Sequence, residues 1–114
     1  MILIMGQSGA GKTTFSEQFD NVKHLDDYPF PKFINCNKAA GPHDVIEGIY
    51  NLKCRRVKLL EAAGAPFSIC IWLNTPDHIC EERNKKLNRF NRLGPIEPPS
   101  YDEGWDLILE VHYD

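Results

Sequence analysis

An apolar run, Met1-Ile2-Leu3-Ile4-Met5, passes straight into Gly6-Gln7-Ser8-Gly9-Ala10-Gly11-Lys12-Thr13-Thr14. This junction constrains the chain more than any other feature. It reads as a buried strand, a tight loop and a helix start, the G-x-x-x-x-G-K-[ST] phosphate loop with every position filled. Gly6, Gly9 and Gly11 free the backbone to turn successive N–H groups towards one anion. The helix beginning near Lys12 adds the positive end of its dipole beneath that anion. Lys12 is expected to reach the β- and γ-phosphates of a nucleotide, and Thr13 to offer a hydroxyl to Mg²⁺. The backbone amides of Gly6, Gln7, Ser8, Gly9, Ala10, Gly11, Lys12, Thr13 and Thr14 form the expected phosphate cradle.

A phosphate loop needs a parallel sheet behind it, and the rest of the chain supplies strand and helix signals in alternation. Val22 to Asp26 reads as a short second strand delivering Asp26 and Asp27 to its C-terminal end, the edge where open α/β sheets bind ligands. Residues 28–42, with Pro29, Pro31, Gly41 and Pro42, read as an irregular crossover whose Tyr28, Phe30 and Phe33 cover the sheet or stack on a base. Asp44 to Tyr50 is expected as strand three, with Glu47 near its end. A helix capped by Asn51 then runs to Gly64, with Val57 and Leu60 inward and Lys53, Arg55, Arg56 and Lys58 on its sides. Pro66 to Leu73 reads as strand four. Thr75-Pro76-Asp77 starts a helix towards Leu93 that buries Ile79, Leu87 and Phe90, and Trp105 to Tyr113 reads as the last strand. The first helix places Phe15 and Phe19 one turn apart on its inner face. Strands alternating with helices predict an α/β fold, a parallel sheet sandwiched between helical layers.

At 114 residues the chain makes one domain, 1–114, able to bury about two-thirds of its unfolded surface. Its net charge of −3 argues against a general electrostatic grip on nucleic acid. A local basic cleft stays open, because screening confines charge effects to about 8 Å. Cys36, Cys54, Cys70 and Cys80 show no C-x-x-C spacing and are expected as buried free thiols. The N-terminal apolar run is too short and lacks the basic flank of a signal peptide, and no stretch approaches a membrane span. A cytoplasmic protein is expected.

Phosphate binding alone suits a kinase, a switch or a motor, so the remaining charges matter. Asp26 at the end of strand two is placed to take a proton from an acceptor hydroxyl; Asp27 serves that role or holds turn amides or a metal-bound water. Glu47 is the candidate for ordering the metal's water shell. Arg83, Lys85, Lys86, Arg89 and Arg92 crowd the helix after Thr75, before a proline-broken loop. That arrangement predicts a lid at about 83–97 whose Arg83 and Arg89, with Arg92 as a further candidate, close on the transferring phosphoryl group.

Gly6 to Thr14, Leu25-Asp26-Asp27-Tyr28, Glu82-Arg83-Asn84 with Asn88-Arg89-Phe90, and the tail from Pro98 to Val111 resemble, in order, the kinase module of polynucleotide kinases. The tail, Pro-Pro, then Glu-Gly-Trp, then Ile-Leu-Glu-Val, carries the most specific part of the likeness. The resemblance implies a P-loop NTPase-type, three-layer sheet of strand order 2-3-1-4-5, ATP as donor with Mg²⁺, and a 5′-hydroxyl acceptor. It places the base on Asp26, the phosphate-binding lysine on Lys12 and lid arginines within 83–92. The chain departs from the family at Leu25, at Pro29 and over Glu47-Gly48-Ile49-Tyr50-Asn51, and the helical insertion after strand two is expected to shrink to the proline-rich loop. Three functions follow as expectations: a kinase for the 5′-hydroxyl of a single-stranded polynucleotide or nucleoside, a kinase for a small metabolite or modified base, and a nucleotide-binding switch or ATPase.

Overall fold

The computed structural model describes residues 1–89 and 93–112. Five parallel strands form one sheet in the order β2-β3-β1-β4-β5. Strand β1 (Ile2–Gly6) is central, between β3 (Val45–Gly48) and β4 (Ile69–Leu73), with β2 (Lys23–His24) and β5 (Leu107–Val111) at the edges. Because β1 is covered on both faces, its side chains are apolar at every position and feed two cores in alternation. Leu3 and Met5 join Ile46, Leu59, Cys70 and Trp105 on one face, and Ile4 joins Ala10, Ile71, Leu73 and Cys80 on the other. Helices α2 (Lys32–Ala39) and α3 (Lys53–Ala63) cover the first face, and α1 (Lys12–Ser16) and α4 (Asp77–Lys86) the second. The α/β, three-layer P-loop architecture and its 2-3-1-4-5 order are therefore as expected.

Several elements differ from their sequence reading. The crossover at 28–42 contains a real helix, α2, entered through Pro31. Prolines that read as breakers here stand just ahead of a helix, where their fixed φ suits the entry. Cys36 is buried and Phe33 meets the Tyr50 ring edge-on at 5.2 Å between centroids, while Phe30 lies exposed. Strand two is only two residues long, and Leu25–Asp27 form a 3-10 turn beyond it. Helix α1 stops at Ser16, yet Phe15 and Phe19 still pack together at 6.4 Å between centroids. Strands three, four and five are shorter than expected, β5 beginning at Leu107 with Trp105 buried just ahead of it. Tyr113 lies outside the described residues.

The inner face of α3 is turned from the expected one: Arg56, Leu59 and Ala63 are its buried residues, and its N-cap is Leu52 rather than Asn51. Arg56 is wholly buried because it has partners for its donors: the Tyr50 carbonyl at 2.9 Å, the Glu97 carbonyl at 2.8 Å, and both carboxylate oxygens of Glu103. Helix α4 ends at Lys86, so Leu87 is exposed rather than buried; Phe90 lies outside the described residues. Its N-cap is Pro76, and the Thr75 hydroxyl donates to the Ala10 carbonyl at 2.9 Å, tying the start of α4 to the phosphate loop. Cys36, Cys70 and Cys80 are buried thiols as expected, but Cys54 is exposed on α3.

Candidate active site

The C-terminal ends of β1, β2 and β3 open on a cleft of about 1250 Å³, above the usual 300–1,000 Å³ of single-ligand pockets. The phosphate loop follows β1, Glu47 lies in β3, and Asp26 sits in the turn after β2. All three regions line the cleft, together with Arg55, Arg83 and Arg89. Of the sequence-derived site residues, Gln7, Ser8, Gly9, Gly11, Lys12, Thr13, Thr14, Asp26, Glu47, Arg83 and Arg89 line it; Gly6, Ala10 and Asp27 do not, and Arg92 lies outside the described residues.

The loop takes its shape from two left-handed glycines, Gly9 (φ 85°) and Gly11 (φ 99°), and Gly11 caps α1. A Cβ on Gly9 would come within 2.6 Å of the Cys80 carbonyl, so α4 presses directly on the loop there. Asn84, buried on the same helix, donates to the Ser8 carbonyl at 3.1 Å, and Arg83 donates to the Gly9 carbonyl at 3.2 Å. The chain leaves α4 through Asn88 (φ 54°), and the Arg89 amide donates back to the Asn84 carbonyl at 2.7 Å.

Lys12 is only 8% exposed, and its ammonium donates to the Gln7 carbonyl at 2.6 Å. Burial pushes its pKa below the usual lysine range, Glu47 and Asp26 pull it back up, and Arg89 adds to the depression. The charge of Arg89 is therefore felt at the phosphate-directed lysine. A bound phosphate would relieve both the burial and the arginine's repulsion, because it supplies the missing counter-charge.

The Thr13 hydroxyl lies 3.3 Å from Glu47 Oε1, and His24 Nδ1 lies 3.4 Å from Oε2 of the same carboxylate. Two adjacent hard oxygen donors fit Mg²⁺, which keeps most of its shell as water and phosphate oxygen and needs only one or two protein ligands. Among the described residues no group of three or more His, Cys, Asp or Glu gathers into an all-protein cage. Thr13 and Glu47 would hold the ion, with His24 orienting the carboxylate.

Leu25 is buried over Gly48, where an added Cβ would meet the Leu25 Cβ at 2.6 Å. That close seat fixes the 3-10 turn and carries Asp26 to the cleft, its side chain 75% exposed and 3.1 Å from Lys32 Nζ. Asp27 is not part of the cleft lining. The two aspartates are adjacent in a 3-10 turn rather than in a strand, and only Asp26 faces the cleft.

Sequence reasoning missed the far wall. Lys32 and Phe33 reach it on α2, Asn51 and Leu52 follow β3, and Arg55 projects from α3 with its guanidinium 4.2 Å from the Phe33 ring centre. The spacing of Phe33, Cys36 and Ala40 is helical and was the available signal for α2. Nothing local marked Asn84 as the buttress of the loop.

No family model matches the chain, and no curated protein matches it. Among solved structures it is similar to an unliganded sugar kinase from Janibacter sp. HTCC2649, with a TM-score of 0.68, 17% sequence identity, and 96% of this chain and 83% of that chain covered. At that identity the likeness is one of fold: the chain has the α/β architecture of that kinase over nearly its whole length.

Proposed function

We propose that this single domain is an ATP-dependent phosphotransferase that moves the γ-phosphate to a hydroxyl, with the 5′-hydroxyl of a nucleoside or single-stranded polynucleotide as acceptor. The observation that carries the reading is that Lys12, the Thr13–Glu47 pair and Asp26 line one cleft at the strand ends. The sugar-kinase fold likeness and the Asp26 carboxylate in the cleft wall favour transfer over switching.

In this reading the loop amides and Lys12 hold the donor's phosphates, and Arg83 and Arg89 balance charge spreading onto the transferred group. Thr13 and Glu47 would hold Mg²⁺, which would supply positive charge against that of the donor's phosphates. The acceptor oxygen forms a bond to the γ-phosphorus as the bond from that phosphorus to the β–γ bridging oxygen breaks. ADP leaves with the bridging oxygen, and the acceptor's proton passes to Asp26. Lys32 holds the Asp26 carboxylate in the cleft wall, although an exposed pair of this kind contributes only about 0–1 kcal/mol.

A second reading, a kinase for a small metabolite, draws support from the sugar-kinase neighbour and from the acidic net charge. One experiment tests both. Transfer from γ-labelled ATP is measured to 5′-hydroxyl oligonucleotides, nucleosides and hexoses, with wild type and Asp26→Asn at saturating ATP. Transfer should fall about 10²–10⁴-fold in the variant with ATP binding retained. Full activity in Asp26→Asn removes it as base, and wild-type ATP binding with no transfer to any acceptor favours the switch.

A further inference from the structure

Among the described residues, two buried side-chain polar atoms lack a hydrogen-bond partner, Trp72 Nε1 and Asn51 Oδ1. Trp72 lies in β4 and takes no part in the cleft; Asn51 lines it while being only 4% exposed. The orientation of the Asn51 amide follows from its neighbours. The Gly94 carbonyl can only accept, so Gln7 turns Nε2 to it. Gln7 Oε1 is then an acceptor, and Asn51 must meet it with Nδ2, at 3.5 Å. What remains is Oδ1, an acceptor with no donor. Turning the amide over would set two oxygens face to face and leave a donor orphaned instead. The residue is also fixed through its backbone, because its carbonyl accepts from the Glu97 amide at 2.8 Å.

An unpartnered buried acceptor costs stability, so its persistence in the wall of a substrate cleft points to a ligand. We propose that Asn51 Oδ1 determines acceptor specificity, by accepting a hydrogen bond from a second hydroxyl or N–H carried by the molecule whose hydroxyl is phosphorylated. The inference rests on the kinase reading and narrows it to acceptors with at least two donors, such as nucleosides and sugars, against simple alcohols. Oδ1 is closed from solvent in this structure, and the proposal requires the Gln7–Gly94 latch to open and uncover it. Gln7 belongs to the phosphate loop, which couples the latch to the donor side of the cleft.

The test compares kcat/KM for adenosine with that for the 2′,3′-dideoxyriboside of purine, which keeps the 5′-hydroxyl as its only donor, and for glucose with its monodeoxy sugars. Wild type should prefer the fuller acceptor about 10- to 100-fold. Asn51→Leu, close in volume, should bring that ratio near one, the loss falling mainly on the fuller acceptor. An unchanged ratio overturns the proposal. So does a ratio that Asn51→Ala leaves as it is in wild type. Wild type that transfers to nothing fails the kinase reading itself, and the proposal falls with it.

Discussion

Replacing Glu103 by glutamine tests whether the tail is fastened to the cleft wall by charge. The carboxylate receives donors on both oxygens: Arg56 Nε at 2.7 Å and Trp105 Nε1 at 3.0 Å on Oε1, Arg56 Nη2 at 2.9 Å and the Ser100 amide at 3.1 Å on Oε2. Glu103→Gln turns one acceptor oxygen into an NH₂ facing those donors and leaves the buried guanidinium uncompensated. Breaking one side of such a pair costs about 3–5 kcal/mol. A chain of this length has a total stability on the order of 6–17 kcal/mol. Its unfolding entropy, about 2.1 cal/mol/K per residue, converts the loss to a Tm lower by roughly 12–20 °C. Calorimetry of both proteins at neutral pH measures it. The pH dependence supplies a second readout. Burial alone would raise the Glu103 pKa, but the Arg56 guanidinium and the Trp105 N–H outweigh it and hold the carboxyl below its ordinary 4.5. The folded state therefore gains stability above the unfolded pKa and loses it as pH falls through the folded one. The two melting curves should converge in acid. A Glu103→Gln Tm within about 5 °C of wild type at pH 7 would refute the reasoning.

Lys12→Ala should abolish the stabilisation by Mg-ATP, worth roughly 2.7 kcal/mol at a hundredfold excess over Kd; a wild-type shift in the variant refutes the phosphate-loop reading. Arg89→Ala should lower kcat more than ATP affinity, as expected of a group acting on the transition state, in steady-state kinetics with varied ATP. Arg83→Ala should weaken both, since its guanidinium also holds the Gly9 carbonyl of the loop. Asp27→Asn should leave transfer within a few-fold of wild type in the assay that reports on Asp26→Asn, because Asp27 stands outside the cleft lining.

The strand–loop–helix geometry of Gly6 to Thr14 was legible because it is local: strand, glycines, lysine and helix start are contiguous in the chain. The positions of Asp26 and Glu47 followed from the rule that parallel strands deliver ligands at their C-terminal ends. Helix α2 was hidden by Pro29 and Pro31, which announce either a loop or a helix entrance, and by the polar residues between Phe33 and Ala40. The burial of Arg56 had no local sign at all. Its partner lies 47 residues further on, and an arginine on a helix reads as solvated until that partner is known. The Asn51 cap failed for a similar reason: its side chain answers to Gln7 across the cleft rather than to the helix beside it.

The pressing of Gly9 against Cys80 has a consequence for time scales. With no room for even a methyl group between them, and with Asn84 bonded to the Ser8 carbonyl, α4 and the phosphate loop move as one body. The Arg89 amide, bonded to Asn84, is anchored to that body as well. In the proposed kinase reading, the backbones that carry Arg83 and Arg89 would already be seated when a nucleotide arrives, and bringing their guanidinium groups onto its phosphates would ask only for side-chain rotation. Such rotations take picoseconds to nanoseconds, against microseconds to milliseconds for the swing of a segment. In the proposed kinase reading these two arginines would be readied in that faster range.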